Sequence, residues 1–286
     1  MLLANEITTC ESNEEPILIT RVPIRVQNFI QSYSDSSPPR RKVKRFSRCI
    51  TLYNYGSTTI DDVGLQLWSG AILLADFLVH ISANLTGVDF FEFGAGTGLT
   101  SLVASLLPCR RIIATDYRHD ILDLINRNIA ANSHLLPLFS PTSPRAAIST
   151  ALLDWTMHSC LDIPDYDQDT ISSRRVYLAA DCIYDDDLTF HFFCTAAACM
   201  RNNEHLFLTL EKRYNFVTSE LALVPHAYSY FSDVVKGSVA FRVYSKKVFF
   251  VGNRIDIDFP SYLEYQRSDN LELWDIAMHD AGDIVQ

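Results

Sequence analysis

The sequence predicts an α/β fold, in which helices cover both faces of a largely parallel sheet. From residue 46 onward, apolar runs typical of strands alternate with segments whose apolar residues recur at the helical period. This alternation is the pattern of parallel strands joined by crossover helices. The chain has 286 residues, of which 48% are hydrophobic and 20% are charged. This length and composition suit one domain with an N-terminal extension, or at most two small domains, and exclude a disordered chain.

The first 45 residues differ from the rest and are predicted to form an N-terminal extension to a domain over residues 46–286. Within them, residues 17–26 predict a strand, and a polar, turn-rich stretch follows at 32–39. One quarter of the 24 Lys and Arg residues then fall at positions 40–48. This basic segment is interpreted either as a solvated arm or as a nuclear-localisation or substrate-docking patch.

The predicted elements of the domain follow a βαβα order along the chain. Strands are predicted at residues 88–93, 111–115, 146–153, 175–180 and 205–210. Helices are predicted at residues 99–107, 121–132, 188–200 and 216–231. Prolines between residues 137 and 144 predict a loop, and an acidic loop is predicted over residues 162–169. Two β-rich stretches at 239–244 and 247–251 lie too close together for a crossover helix, so they are predicted to pair as an antiparallel hairpin.

Charge and cysteine content narrow the function classes. The formal net charge of −10 argues against direct, non-specific nucleic-acid binding by the folded surface. Seven cysteines occur without a C-x-x-C pair, so neither a disulfide framework nor a metal site is predicted. No signal peptide is indicated, and the most apolar helical stretch, 71–81, is far shorter than the ~20 residues that cross a bilayer. We therefore expect an intracellular protein in a reducing compartment, with no membrane partner.

The strongest functional motif is EFGAGTG at residues 92–98, between a predicted strand and a predicted helix. Glycines let the backbone turn tightly and approach a ligand, and the new helix offers free N–H groups. The pattern differs from the dinucleotide fingerprint, because the sixth place counted from Gly94 is Leu99 rather than Gly or Ala. Glu92, two positions before the first glycine, also separates it from nicotinamide binding.

Three further residues follow predicted strands. Asp116 lies at the end of the second strand, where nucleotide-binding α/β folds place a carboxylate that accepts ribose hydroxyls. Asp154 and Trp155 follow the third strand and offer a carboxylate for an exocyclic amine and an aromatic face for a base. Taken alone, Asp116 is more readily interpreted as a helix cap and Trp155 as a core residue. Their combination with the glycine turn favours a nucleoside-containing ligand.

In this order, the motifs resemble those of seven-strand, S-adenosyl-L-methionine-dependent methyltransferases. Two further segments resemble the methyltransferase-16 group of protein lysine methyltransferases, namely VGLQLWSGAILLA at 63–75 and ADCIY at 180–184. Residues 128–134, 184–189 and 211–216 are similar to one member of that group. The resemblance covers roughly residues 46–276. It implies a Rossmann-like seven-strand sheet and S-adenosylmethionine as the cofactor.

The resemblance also implies where the methionine part of the cofactor would lie. Gly94, Gly96 and Gly98 would lie against it. Glu92 would either lie near its ammonium group or order the glycine turn. These residues form the first half of the predicted cofactor site.

The other half of the predicted cofactor site concerns the nucleoside. By the resemblance, Asp116 would bind the ribose hydroxyls, and Asp154 with Trp155 would flank adenine. Trp68, at the start of the helix that covers the site, would pack against the cofactor, with a role in the core as the alternative.

The same resemblance implies two catalytic residues, Asp181 and Tyr184, after the fourth strand. A lysine nucleophile must lose its proton, and its reference pKa of ~10.4 makes the neutral amine scarce at pH 7. A desolvated pocket lowers that pKa, and Asp181 would position the cation and receive the proton. Tyr184 would form an aromatic wall that orients the amine. The alternative is a structural pair, in which Asp181 caps the next helix and Tyr184 belongs to the core. The acids at 185–187 are predicted to serve the N-terminus of that helix.

The sequence therefore predicts a protein-lysine N-methyltransferase of the nucleus or cytoplasm. Its partner would be a protein substrate that is basic, nucleic-acid-associated or a chaperone. Two other classes remain open. A methyltransferase of small molecules or nucleic acids shares the cofactor site, although residues 181–184 lack the prolines typical of base amino-methylation. A catalytically silent interaction module is expected to lose the glycines or the strand-end acids, and none is lost.

Overall fold

The computed structural model of the protein describes residues 4–8, 17–24, 48–56, 59–135, 146–158, 163, 166, 174–212, 215–217, 222–224, 226–243 and 245–281. Four predictions lie outside these residues. They are the polar stretch at 32–39, the basic segment up to residue 47, the loop at 137–144, and most of the acidic loop at 162–169.

The strands and helices are numbered in chain order. The strands are β1 (Ala4–Thr8), β2 (Ile17–Ile24), β3 (Arg48–Tyr55), β4 (Asp89–Phe93), β5 (Arg111–Asp116), β6 (Ala147–Leu152), β7 (Arg175–Ala180), β8 (His205–Glu211), β9 (Asn215–Val217), β10 (Ala222–Val224), β11 (Lys236–Val243), β12 (Lys246–Ile255) and β13 (Leu271–Asp280). The α-helices are α1 (Ser69–His80), α2 (Leu99–Ser105), α3 (His119–Ala131), α4 (Asp186–Cys199) and α5 (His226–Val235).

The central sheet confirms the predicted α/β fold. Within the described residues it has eight strands in the order β11-β12-β13-β8-β7-β4-β5-β6. The strands from β8 to β6 pair in parallel, and β13, β12 and β11 pair antiparallel. The predicted hairpin is β11–β12, and β11 adds an eighth strand at the edge. The sequence analysis assigned no strand to β13, which lies between the hairpin and the parallel part.

The strand order reverses at β4. The chain proceeds from β4 to β5 and β6 on one side, and β7 returns to the other side of β4. Ligands of open α/β sheets bind outside the carboxyl ends of the strands at such a switch point. The fold thus places the glycine turn after β4 at the position where a ligand is expected.

The two faces of the sheet have separate cores. Phe90 packs in a core with Leu74 of α1 and Leu102 of α2. Its neighbours Phe91 and Phe93 pack in a core that contains side chains of α4 and α5. Successive residues of a strand point to opposite faces, so β4 contributes to both cores. Helices therefore cover both faces, as predicted.

The N-terminal strands form a second sheet. Strand β2 pairs antiparallel with β1 and β3. Val22 and Ile24 of β2 are buried in the core beside α1, and Ile24 forms a β-bridge with Leu263. The division of the chain at residue 45 stays a prediction; β2 lies before this boundary and packs on the domain that follows it.

The predicted helix at residues 216–231 is wrong in its first half. The structure has the short antiparallel strands β9 and β10 there, and α5 begins only at His226. Pro225 explains the late start. Proline lacks an N–H and disfavours helical geometry in the residue before it, but it is tolerated where a helix begins.

Candidate active site

A cavity of about 440 Å³ opens at the carboxyl ends of the parallel strands. Eight of the ten predicted site residues line it, namely Trp68, Gly94, Gly96, Asp116, Asp154, Trp155, Asp181 and Tyr184. The other two, Glu92 and Gly98, do not. The structure therefore brings most of the predicted site together, although its members are spread over more than a hundred positions of the chain.

The glycine turn after β4 has left-handed backbone conformations that favour glycine. Gly94 has φ 58°, and an ideal Cβ there would lie 3.1 Å from both Cys182 Sγ and Trp155 Cζ2. Any side chain at Gly94 would therefore fill the cavity. Gly98 has φ 78°, and its Cβ would lie 2.9 Å from Ile125 Cγ2. Gly98 is thus required for packing against α3 rather than for contact with the cavity.

Glu92 lies beneath the glycine turn and is only 1% exposed. Its carboxylate accepts a hydrogen bond from the Ser101 hydroxyl, and it also bonds the Thr100 side chain and the Ser101 backbone. Burial raises its pKa to about 7. These contacts attach Glu92 to the first turn of α2, which begins directly after the glycine turn.

Asp116 ends β5 beside the glycine turn and is almost fully buried. Its Oδ2 accepts a hydrogen bond from the Gly96 N–H at 2.9 Å, and its Oδ1 accepts one from the Tyr117 N–H at 2.8 Å. Burial raises its pKa to about 6. The carboxylate thus faces the cavity and fixes the turn.

Asp154 and Trp155 follow β6, the strand next to β5, and line the cavity. Asp154 is exposed, and its Oδ1 accepts hydrogen bonds from the Thr156 N–H at 2.9 Å and hydroxyl at 2.7 Å. The Trp155 ring is half-buried and meets Phe192 of α4 edge to face, with centroids 5.2 Å apart. Trp155 therefore packs against the core through its contact with Phe192, and it also lines the cavity.

Trp68 lines the cavity directly before α1. Its Nε1–H donates to the Val63 carbonyl at 2.8 Å, which holds the preceding 3₁₀ turn, Ile60–Leu65, against the ring. Val63 and Gly64 of that turn also line the cavity. Trp68 thus connects the start of α1 with a segment that the sequence analysis did not assign to the site.

Asp181 follows β7 with a left-handed backbone, φ 53°. Its Oδ2 accepts a hydrogen bond from the Gly70 N–H at 2.6 Å, and its Oδ1 accepts one from the Glu211 N–H at 2.9 Å. The residue is 8% exposed. Asp181 therefore joins the start of α1 to the end of β8 while it lines the cavity.

Tyr184 lies on the same wall, three residues after Asp181. It is partly buried, and burial raises the pKa of its hydroxyl. The next residue, Asp185, caps α4, since its Oδ1 accepts a hydrogen bond from the Leu188 N–H at 2.9 Å. This contact confirms for Asp185 the predicted service to the helix N-terminus.

The sequence analysis missed several lining residues. They are Val63, Gly64, Tyr117, Leu153, Thr156, Ala180, Cys182, Asp185 and Leu188. Tyr117 is 43% exposed, and its position directly after Asp116 could have indicated a wall residue. Val63, Gly64, Ala180 and Cys182 lie within the segments at 63–75 and 180–184 whose resemblance was noted, and the remaining residues are close in the chain to predicted site residues.

The described residues also bear on metals and membranes. Among them, no group of three or more His, Cys, Asp or Glu side chains could hold a metal ion. Within the same residues, no helix is both long and apolar enough to cross a membrane.

Comparison with known proteins gives one family match and several relatives. Residues 51–223 match a family model described as lysine methyltransferase. Methyltransferase-like protein 22 of Homo sapiens is 34% identical over 231 residues, which are 77% of this chain and 55% of that protein. The Mus musculus protein of the same name is 31% identical over 237 residues, 79% of this chain and 58% of that protein. Protein N-lysine methyltransferase METTL21A of Mus musculus is 27% identical over 189 residues, 62% of this chain and 79% of that protein. The chain spans about half the length of the first two relatives.

Proposed function

The chain belongs to the lysine methyltransferase family, and from this premise we propose that it is an S-adenosylmethionine-dependent protein-lysine N-methyltransferase. Its reaction would transfer a methyl group to the ε-amine of a lysine in a protein substrate. Membership of the family confirms the resemblance that the motifs indicated. One observation carries the proposal: residues that follow or end four parallel strands meet at one cavity. These residues are Gly94 after β4, Asp116 at the end of β5, Asp154 after β6 and Asp181 after β7.

The residues around the cavity fit the cofactor. Its volume of about 440 Å³ lies within the range usual for small-molecule sites. A Cβ at Gly94 would lie 3.1 Å from both Trp155 Cζ2 and Cys182 Sγ, so glycine at this position keeps a side chain out of the cavity wall. Asp116 offers buried carboxylate oxygens for two ribose hydroxyls, and Trp155 offers an aromatic face for the base.

When bound, S-adenosylmethionine supplies a methyl group on a positively charged sulfur. Methyl transfer is an in-line displacement, so the chain has mainly to align the amine and to exclude water. Trp68, Trp155 and Tyr184 line the cavity with aromatic rings that serve both purposes.

Asp181 and Tyr184 are assigned to the substrate amine. Both line the cavity on the β7 side, where the amine would enter. The Gly70 and Glu211 N–H groups donate to its two oxygens and hold the Asp181 carboxylate at this wall of the cavity. Asp181 would thus attract the ammonium and receive its proton, and Tyr184 would orient it by a cation–π or hydroxyl contact.

The charge around the cavity favours a basic segment of the substrate. Asp154, Asp186 and Asp187 are exposed close to residues that line the opening. A basic protein, a nucleic-acid-associated protein or a chaperone with a basic segment would suit this surface. The proposed location is the nucleus or the cytoplasm, where the basic segment at 40–48 would serve for import or docking.

Binding and transfer test the proposal in two steps. The purified full chain is titrated by calorimetry with S-adenosylmethionine and, separately, with NAD. It is then incubated with methyl-tritiated S-adenosylmethionine and a cell extract, and labelled protein is hydrolysed for amino-acid analysis. Saturable binding of S-adenosylmethionine alone and label in methyllysine are expected. Label in RNA or small molecules instead, or no binding in a folded sample free of co-purified ligand, would overturn the proposal.

A further inference from the structure

Asn128 of α3 is a fully buried side chain that the site description does not use. Its Oδ1 accepts a hydrogen bond from the Tyr53 N–H of β3 at 2.7 Å, and its Nδ2 donates to the Tyr53 carbonyl at 3.0 Å. The same Nδ2 donates to the Thr97 carbonyl at 2.9 Å. Thr97 belongs to the glycine turn. One amide therefore joins the N-terminal sheet, α3 and the glycine turn.

Asn132, one turn further along, repeats half of this arrangement. Its Oδ1 accepts from the Thr51 N–H at 2.8 Å, and its Nδ2 donates to the Thr51 carbonyl at 2.7 Å. Its remaining bond goes to the Asn128 carbonyl at 2.7 Å, within the helix. Asn132 therefore binds β3 as Asn128 does. Among the hydrogen bonds of the described residues, none joins Asn132 to the glycine turn.

The spacing of the two asparagines matches the strand. Residues four apart in a helix rise by about 6 Å, and residues two apart in a strand are about 7 Å apart. Thr51 and Tyr53 present their N–H and C=O groups on the same edge of β3, and the opposite edge pairs with β2. The two side-chain amides thus serve as hydrogen-bond partners for the edge of β3 that does not pair with β2.

The glycine turn is also hydrogen-bonded to β5. The Ala95 N–H donates to the Thr115 carbonyl at 2.9 Å, and the Gly96 N–H donates to Asp116. Both of these anchors come from β5. Asn128 fixes the turn from α3, close to the point where Gly98 packs against Ile125. The shape of the turn therefore depends on both β5 and α3.

We propose that Asn128 is a positioning residue for the cofactor: it fixes the glycine turn against β3, so that the N-terminal sheet is part of the cofactor-binding unit. The inference rests on the proposed function for the identity of the cofactor, but the coupling itself is a property of the chain. The loss of the Asn128 amide frees the Thr97 carbonyl and loosens the turn from which Gly94 and Gly96 face the cavity. The loss of the Asn132 amide weakens the attachment of β3 alone.

Asn128→Ala and Asn132→Ala in the full chain form a matched pair. Each removes one buried amide that bonds β3 on both its donor and acceptor sides, so both are expected to lower Tm. Asn128→Ala is expected to weaken S-adenosylmethionine binding about tenfold, and Asn132→Ala less than about twofold. In hydrogen exchange of the ligand-free protein, amides of residues 95–99 should exchange faster in Asn128→Ala only. Asn128→Ser replaces Asn128→Ala if the latter does not fold, with the same expected order.

Two results would overturn the inference. One is equal weakening of binding by the two variants, which would make both asparagines merely structural. The other is unchanged exchange at residues 95–99 in the Asn128 variant. If the wild-type chain does not bind S-adenosylmethionine, the proposed function fails, and hydrogen exchange alone then decides whether Asn128 couples β3 to the turn.

Discussion

The buried acidic residues of the predicted site are held differently from residues on the open side of the cavity. Glu92, Asp116 and Asp181, the inner carboxylates, are at most 8% exposed, and each accepts a hydrogen bond from backbone N–H groups of another segment. Asp154 and Tyr184, the outer residues, lie on short connections after β6 and β7. The contacts of Asp154 are local, to Thr156. The inner carboxylates therefore connect separate elements of the fold, whereas the contacts of Asp154 lie within its own turn.

The comparison is tested most severely at Asp181. Asp181→Asn replaces one carboxylate oxygen by an NH₂ group, which meets the N–H of either Gly70 or Glu211. We expect methyl transfer to fall about a thousandfold, because the variant impairs both the proposed proton acceptor and the connection between α1 and β8. Single-turnover transfer, cofactor affinity and Tm are measured together.

Asp185→Asn is the matched control, since Asn caps a helix as well as Asp does. This variant should retain most activity. Transfer by Asp181→Asn above one half of the wild-type rate would contradict the role given to the inner carboxylates. A rate loss without loss of cofactor affinity would assign Asp181 mainly to the proton, and a loss of both would assign it mainly to the framework.

Glu92 predicts a pH dependence of stability. Its pKa in the folded chain is raised from 4.5 to about 7, so the folded state holds this proton to higher pH than the unfolded state does. The stabilisation is complete below about pH 4.5 and is lost as pH rises through about 7. Relative to Glu92→Gln, the unfolding free energy of the wild type should fall by about 3 kcal/mol across this window.

Urea unfolding of both proteins at several pH values measures the difference. If the unfolding free energies of the wild type and Glu92→Gln changed in parallel with pH, Glu92 would titrate normally. The claim that burial raises the pKa of Glu92 would then be wrong.

Asp116→Ala should weaken S-adenosylmethionine binding about thirtyfold. The variant loses the two hydrogen bonds that the ribose hydroxyls are proposed to donate to this buried carboxylate. Since burial raises the pKa of Asp116 to about 6, the affinity of the wild type should also decline as pH falls below about 6. Calorimetric titrations between pH 5 and 8 check both effects. Asp116→Asn, which has no charge to lose, should show a flatter profile; the same decline in this variant would point to another group.

The smallest effect is expected on the open side. Asp154→Ala removes an exposed carboxylate whose bonds are to Thr156, so cofactor affinity should fall only about threefold. The measurement is the same titration as for Asp116→Ala. An effect as large as that of Asp116→Ala would break the distinction between the two sides of the cavity.

The sequence predicts which residues meet at the cavity, because its motifs follow strand ends. Parallel strands bring their carboxyl ends to one edge, so the spacing of Gly94, Asp116 and Asp154 is sufficient to predict that they meet. The direction of each side chain is harder to predict. Glu92 and Gly98 lie within the motif, yet Glu92 bonds α2 and Gly98 packs on Ile125, since these contacts depend on how α2 and α3 are placed.

Long-range contacts account for most of what the sequence does not predict. The partners of Asn128 in β3 are 75 positions away, and no local pattern connects a helix asparagine with the backbone of a distant strand. Strand β13 is likewise defined by its pairing with β8 and β12. The error at residues 216–231 had a local signal, Pro225, which the helical period of the neighbouring residues outweighed.

The contact between Gly70 and Asp181 has a consequence for sequence comparison across the family. An ideal Cβ at position 70 would lie 2.5 Å from Asp181 Oδ2, and the two positions are 111 residues apart in the chain. A side chain at position 70 and an aspartate at position 181 therefore exclude each other unless the Asp181 carboxylate or α1 shifts. Substitutions at the two positions should be correlated among related chains, with a residue larger than glycine at 70 accompanied by a residue shorter than aspartate at 181.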